Sequence, residues 1–105
     1  MKKTRRPAPP RGYMCWIAVS RRKAYIAVGD LLAAIPAAPW LPAMAATPMM
    51  THGWLRYVDI TDAYAWVPAL RDSGYKEPAE GLSRVLDWAI QEAADVRTAN
   101  VPNYQ

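Results

Sequence analysis

Lys2, Lys3, Arg5, Arg6, Arg11, Arg21, Arg22 and Lys23 place eight positive charges in the first 23 residues, where no acidic residue occurs. Clustered cations of this kind hold phosphates or acidic protein surfaces, through counterion release and long-range steering. Arginine adds a planar fork that grips a phosphate through two parallel hydrogen bonds. Tyr13, Trp16 and Tyr25 are interleaved with these bases. If their rings point outward they can stack on unpaired bases. Two features weigh against direct nucleic-acid binding: no RNA-binding signature occurs, and no helix-period segment carries bases along one face. The same charges suit a solvated surface or one that docks on an acidic protein.

The other chemically suggestive residues have plainer explanations. His52 lies between Thr51 and Gly53 with no carboxylate or nucleophile beside it to make an acid/base pair. Cys15 alternates with Ile17 and Val19, the spacing of a buried thiol on a strand. Asp59 and Asp62, three apart, fit an N-cap and a solvated charge better than a cation site. Ser20-Arg21-Arg22-Lys23-Ala24-Tyr25-Ile26 resembles a twin-arginine export signal, with Ala43-Met44-Ala45 similar to a small-residue cleavage site. It departs from that pattern at Ala24, and Asp30 and several prolines interrupt the apolar run that should follow. Export therefore stands as a minor alternative.

Five tryptophans, six tyrosines and five methionines, with no phenylalanine, make a composition typical of contact surfaces as well as of small cores. Trp40, Leu41, Met44, Met49 and Met50 lie in a proline-punctuated stretch with no clear helix or strand period. Pro36, Pro39 and Pro42 recur at every third residue, the polyproline II period. This stretch is the expected protein interface, with Trp40 as its anchor. The basic residues of 1–23 are expected to contact nucleic acid or an acidic partner.

Several elements must position these residues. Residues 1–12 mix five bases with three prolines and read as a basic, proline-rich arm. Residues 13–28 read as an antiparallel hairpin whose loop carries Arg21, Arg22 and Lys23. Asp30 is the expected N-cap of a short helix that Pro36 stops. Residues 54–61 alternate as a third strand, Asp62 caps a helical turn, and Pro68 opens another that Gly74 closes. From Pro78 to about Thr98, Leu82, Val85, Leu86, Ala89, Ile90, Ala93 and Val96 keep the spacing of one helix face. A loose tail is expected over 100–105.

At 105 residues with 52% apolar and 21% charged content, the chain is long enough for one packed domain. A lone cysteine excludes an internal disulfide and a thiolate zinc site. Residues 31–55 carry no Asp, Glu, Lys or Arg, yet prolines break any membrane-length helix, so no span is expected. The predicted fold is α+β: a small antiparallel sheet, formed by hairpin 13–28 and strand 54–61, packed against an amphipathic helix over 78–98. Residues 13–105 form the single domain and 1–12 its arm. The expected function is a non-enzymatic binding module in the cytoplasm, without cofactor or metal. It would dock on a larger protein or nucleoprotein assembly, in the manner of accessory or inhibitory proteins of phages and mobile elements. Nucleic-acid binding through the arm and hairpin loop is the alternative.

Overall fold

In the computed structural model, which describes the backbone of residues 1–100 and side chains as far as 98, five strands form one antiparallel sheet with helices on one side. The strands are β1 (Lys2–Ala8), β2 (Tyr13–Val19), β3 (Ala24–Ala27), β4 (Met50–His52) and β5 (Leu55–Asp59), in spatial order β1-β2-β3-β5-β4. The helices are α1 (Val28–Ala34), α2 (Pro42–Ala45), α3 (Ile60–Ala63), α4 (Trp66–Asp72) and α5 (Lys76–Asn100). The architecture is α+β, as the sequence predicts. The tail expected over 100–105 lies outside the described residues, apart from Asn100, whose backbone belongs to α5.

The period of two in YMCWIAV puts Cys15, Ile17 and Val19 on the helix side, where Ile26 and Val58 join them in the core. The stripe of α5 covers that face through Leu82, Val85, Leu86, Ala89, Ala93 and Val96, all buried. Ile90, expected in the stripe, is 43% exposed: it falls on the stripe's flank, beyond the width of the sheet contact. Ile35 lies so close to α5 that a Cβ at Gly81 would sit 3.2 Å from its side chain.

The expected arm is a correction. Residues 2–8 are extended, but they are a sheet strand paired along their whole length with β2, from Lys2 opposite Val19 to Ala8 opposite Tyr13. Its alternation is masked in the sequence because an edge strand exposes long basic side chains on both sides, and Ala8 alone is buried. The Pro9–Pro10 bond in the connecting turn is cis, and Gly12 closes the turn at φ 73°, a left-handed conformation that side chains resist.

Other boundaries shift for local reasons. The third strand ends at Asp59 because the Asp59 carboxylate caps α3, accepting from the Thr61 N–H at 2.9 Å, a role expected of Asp62. Its front is shortened by the turn at Gly53 and Trp54, which leads back to the unforeseen strand β4. Asp30 lies inside α1 and caps no helix; its carboxylate accepts from the Trp16 N–H at 2.9 Å, where β3 has ended and β2 keeps only β1 as a neighbour. The β2–β3 turn, which has no glycine, is closed by the Ser20 hydroxyl and pinned by Arg97 of α5, which donates to the Ser20 and Lys23 carbonyls at 3.2 and 2.8 Å. The segment resembling an export signal is this turn together with β3, at the centre of the sheet. No helix among the described residues is long and apolar enough to cross a membrane.

Leu86 is fully buried and Gln91 is exposed. Leu86→Ala should lower unfolding free energy by about 2–5 kcal/mol in chemical denaturation. Gln91→Ala should change it by less than about 0.5 kcal/mol.

Candidate nucleic-acid interface

Among the described residues one layer of helices leaves the second face of the sheet uncovered. Residues paired across antiparallel strands share a face, so the register identifies what lies there. Arg5 stands opposite Trp16 and Lys3 opposite Ala18. Ala18 stands opposite Tyr25, Tyr25 opposite Asp59, and Ala27 opposite Tyr57. Met50 follows beside Tyr57, and His52 beside Leu55. Among the described residues no helix residue enters the apolar cluster on this face, in which Ala18, Ala27 and Tyr57 are buried and the partly buried Trp16, Tyr25, Met50 and Leu55 pack against them.

Alanines 18 and 27 are the reason Tyr57 can be buried on an open face: short side chains on adjacent strands leave a shelf that larger neighbours roof. The Tyr57 hydroxyl finds no hydrogen-bond partner among the described residues. Burial, and then the negative charge of Asp30, raises its pKa. Above this shelf Trp16 and Tyr25 remain accessible, and the Lys3 ammonium lies 6.0 Å from the centre of the Trp16 ring. That contact is a cation–π arrangement, which orients the ring and its charge together.

Charge is divided between the two layers. Every acidic residue lies on a helix except Asp59, at the end of β5, and Asp59 is offset by Lys23 at 3.9 Å. On the helix side Arg6 is drawn to Glu92 of α5, also at 3.9 Å. Arg5, Arg11, Arg21 and Arg22 are exposed and form no ion pair among the described residues. The expected cationic residues are thus split by the pleat. Lys3 and Arg5 lie on the open face with Lys23 at its end, Arg11, Arg21 and Arg22 sit at turns, and Lys2 and Arg6 lie on the other side of β1.

The expected Trp/Met interface is not assembled. Met44 is fully buried, because the short helix α2 turns it into the core. Leu41 and Met49 pack against that same core, while Met50 belongs to β4 and the open face. Trp40 is 48% exposed and meets the buried Trp66 edge-on, with ring centres 6.1 Å apart. The Trp66 indole N–H donates to the Thr47 hydroxyl at 2.8 Å, tying the segment down. Residues 36–50 therefore act mainly as a cover over the end of the core.

Trp54, which the alternation pattern assigns to a strand, is fully exposed at the β4–β5 turn, where Gly53 takes φ 63°. The adjacent Gly is its one sequence signal, since His-Gly-Trp between apolar runs reads as a hairpin tip. No group of three His, Cys, Asp or Glu among the described residues could hold a metal ion.

Two outcomes test this geometry. A hydroxyl buried without a partner carries an uncompensated desolvation cost, so Tyr57→Phe should leave the thermal midpoint unchanged or raise it. The Cys15 thiol, which donates to the Asp30 carbonyl, is pushed up from 9.0 to about 12 by burial and then by the charge of Asp30, with Arg5 opposing. Its contribution to stability is complete below the unfolded-state value and is lost as pH rises from there toward the folded-state value. The drop in denaturation midpoint between about pH 8 and about pH 10.5 should therefore be smaller in Cys15→Ala. In the folded wild type the thiol should resist alkylation.

No family model matches the chain, and no curated protein or solved structure matches it either.

Proposed function

We propose that the protein is a non-enzymatic binding module that takes a single strand of nucleic acid, free or within a nucleoprotein assembly, across the open face of its sheet. One observation carries this reading. Trp16 and Tyr25 lie partly exposed on a face that no helix among the described residues covers, with Lys3 and Arg5 beside them, while the Asp30 carboxylate is engaged by the Trp16 N–H and Asp59 lies beside Lys23. Aromatic faces accept unpaired bases of any sequence, while the cations follow the backbone phosphates. A duplex hides its base faces, so a flat aromatic platform discriminates in favour of single strands. The bases at the β2–β3 turn, pinned by Arg97, extend the positive field beyond the sheet's end.

Labelled single-stranded DNA and RNA, followed by fluorescence anisotropy, test the reading. Affinity should fall steeply with salt, and the slope should become shallower in Lys3→Ala/Arg5→Ala. Trp16→Ala should weaken binding by about tenfold, within the ~1–3 kcal/mol that one stacked base contributes. A duplex of equal length should bind more weakly. Absence of salt-dependent binding, or full affinity in the Trp16 variant, would sink the proposal.

Trp54 favours a second reading, docking on a protein. A fully exposed indole at a hairpin tip has the form of an interface anchor seeking a pocket. The readings separate in affinity capture. Protein docking predicts complexes that survive nuclease and are lost in Trp54→Ala, whereas strand binding predicts loss on nuclease treatment and in Trp16→Ala.

A further inference from the structure

Where the open face ends at the β1–β2 turn, a cavity of about 460 Å³ lies between that turn and the last residues of α1. Arg5 and Arg11 line it with Pro9, Tyr13 and Met14, and Ala33 and Ala34 of α1 leave it open by their small size. No carboxylate of the described residues lines it. Neither arginine has an ion-pair partner among the described residues, so both guanidinium groups are available to a ligand. The adjoining cavity, which Arg11 also borders, is different in kind because Glu77 and Glu80 line it.

The surrounding backbone holds the two arginines in place. Arg5 is fixed in β1 by its pairing with Trp16, so one of the cavity's arginines stands directly beside the aromatic platform. Arg11 sits in a turn restrained by two prolines and closed by the Gly12 N–H, which donates to the Ala8 carbonyl at 2.7 Å. The volume falls within the ~300–1,000 Å³ range of small-ligand sites, room for about one nucleotide.

Resting on the strand-binding reading, we propose that this cavity is a subsite for the phosphorylated end of the bound strand. An internal phosphodiester carries one negative charge, whereas a terminal monoester carries about −1.5 to −2 and three strong acceptor oxygens. Two arginine forks without a competing carboxylate reward that difference. The terminal base stacks on the platform that begins at Trp16, and its phosphate lies between Arg5 and Arg11. No bond is made or broken: the subsite holds an end and so sets where on a strand the protein sits.

Three oligonucleotides of one sequence test the proposal: one with a 5′-phosphate, one with a 3′-phosphate and one with neither, each labelled away from the end in question. One phosphorylated end should raise affinity at least fivefold over the unphosphorylated strand, and which of the two does so gives the strand's polarity. Arg11→Ala, at an exposed turn position, should abolish that gain while leaving affinity for the unphosphorylated strand within twofold of wild type. Arg11→Lys, which keeps the charge and loses the fork, should keep only part of the gain. Equal affinity for all three strands, or a gain that survives Arg11→Ala, overturns the subsite and leaves the sheet-face reading standing. Failure to bind any strand overturns both.

Discussion

Among the described residues one long helix, α5, packs on the sheet, and one helix layer can cover one face of a sheet. Everything else follows from that constraint. The face beneath α5 takes the small and branched apolar residues of β2, β3 and β5, and it forms the main core. No element among the described residues packs on the other face, where its own side chains exclude water. Tyr57 lies among Ala18 and Ala27, and Trp16, Tyr25, Met50 and Leu55 close over it. A face built in this way is apolar and aromatic, yet exposed at its top. That surface fits stacking contacts, and its neighbours supply the charge.

The division of charge follows from the same layering. Helices need acids on their outer faces and near their first turns, and nearly all of the chain's carboxylates are found there. The edge strand needs charge to discourage pairing with another sheet edge, and β1 supplies lysine and arginine. The result is a molecule whose sheet side is cationic and whose helix side is acidic, with Arg6–Glu92 and Lys23–Asp59 as its ties between opposite charges. Exposed pairs at these distances add little stability. Lys23 does, however, set a positive charge beside Asp59 at the end of the open face.

Asp30 links the two faces. Its carboxylate takes the Trp16 N–H left unpaired when β3 ends, and its carbonyl accepts the Cys15 thiol on the core side. Its charge is also felt by the Tyr57 hydroxyl. The turn from β3 into α1 thus fixes the backbone at Trp16. The tyrosine hydroxyl beneath remains without a partner, a local cost at the centre of the proposed binding face.

The amphipathic halves of this architecture are legible in consecutive residues: the α5 stripe, the buried parity of Cys15, Ile17 and Val19, and the concentration of cations before residue 24. These signals are local, because a period of 3.6 or of two is written in consecutive residues. The sequence by itself did not show that residues 2–8 are a strand, since edge residues exposed on both sides lose the alternation that marks a strand. Nor did it show that Met44 is core while Trp54 is solvent, because both sit in uncharged stretches where composition is alike and only the fold separates inside from outside. The platform and the Arg5–Arg11 cavity were decided by tertiary structure alone. Trp16 and Tyr25 are brought onto one face by strand register, and Arg5 meets Arg11 because a turn folds β1 back along β2. Which strands become neighbours depends on burial summed over the whole chain, and no window of sequence contains that sum.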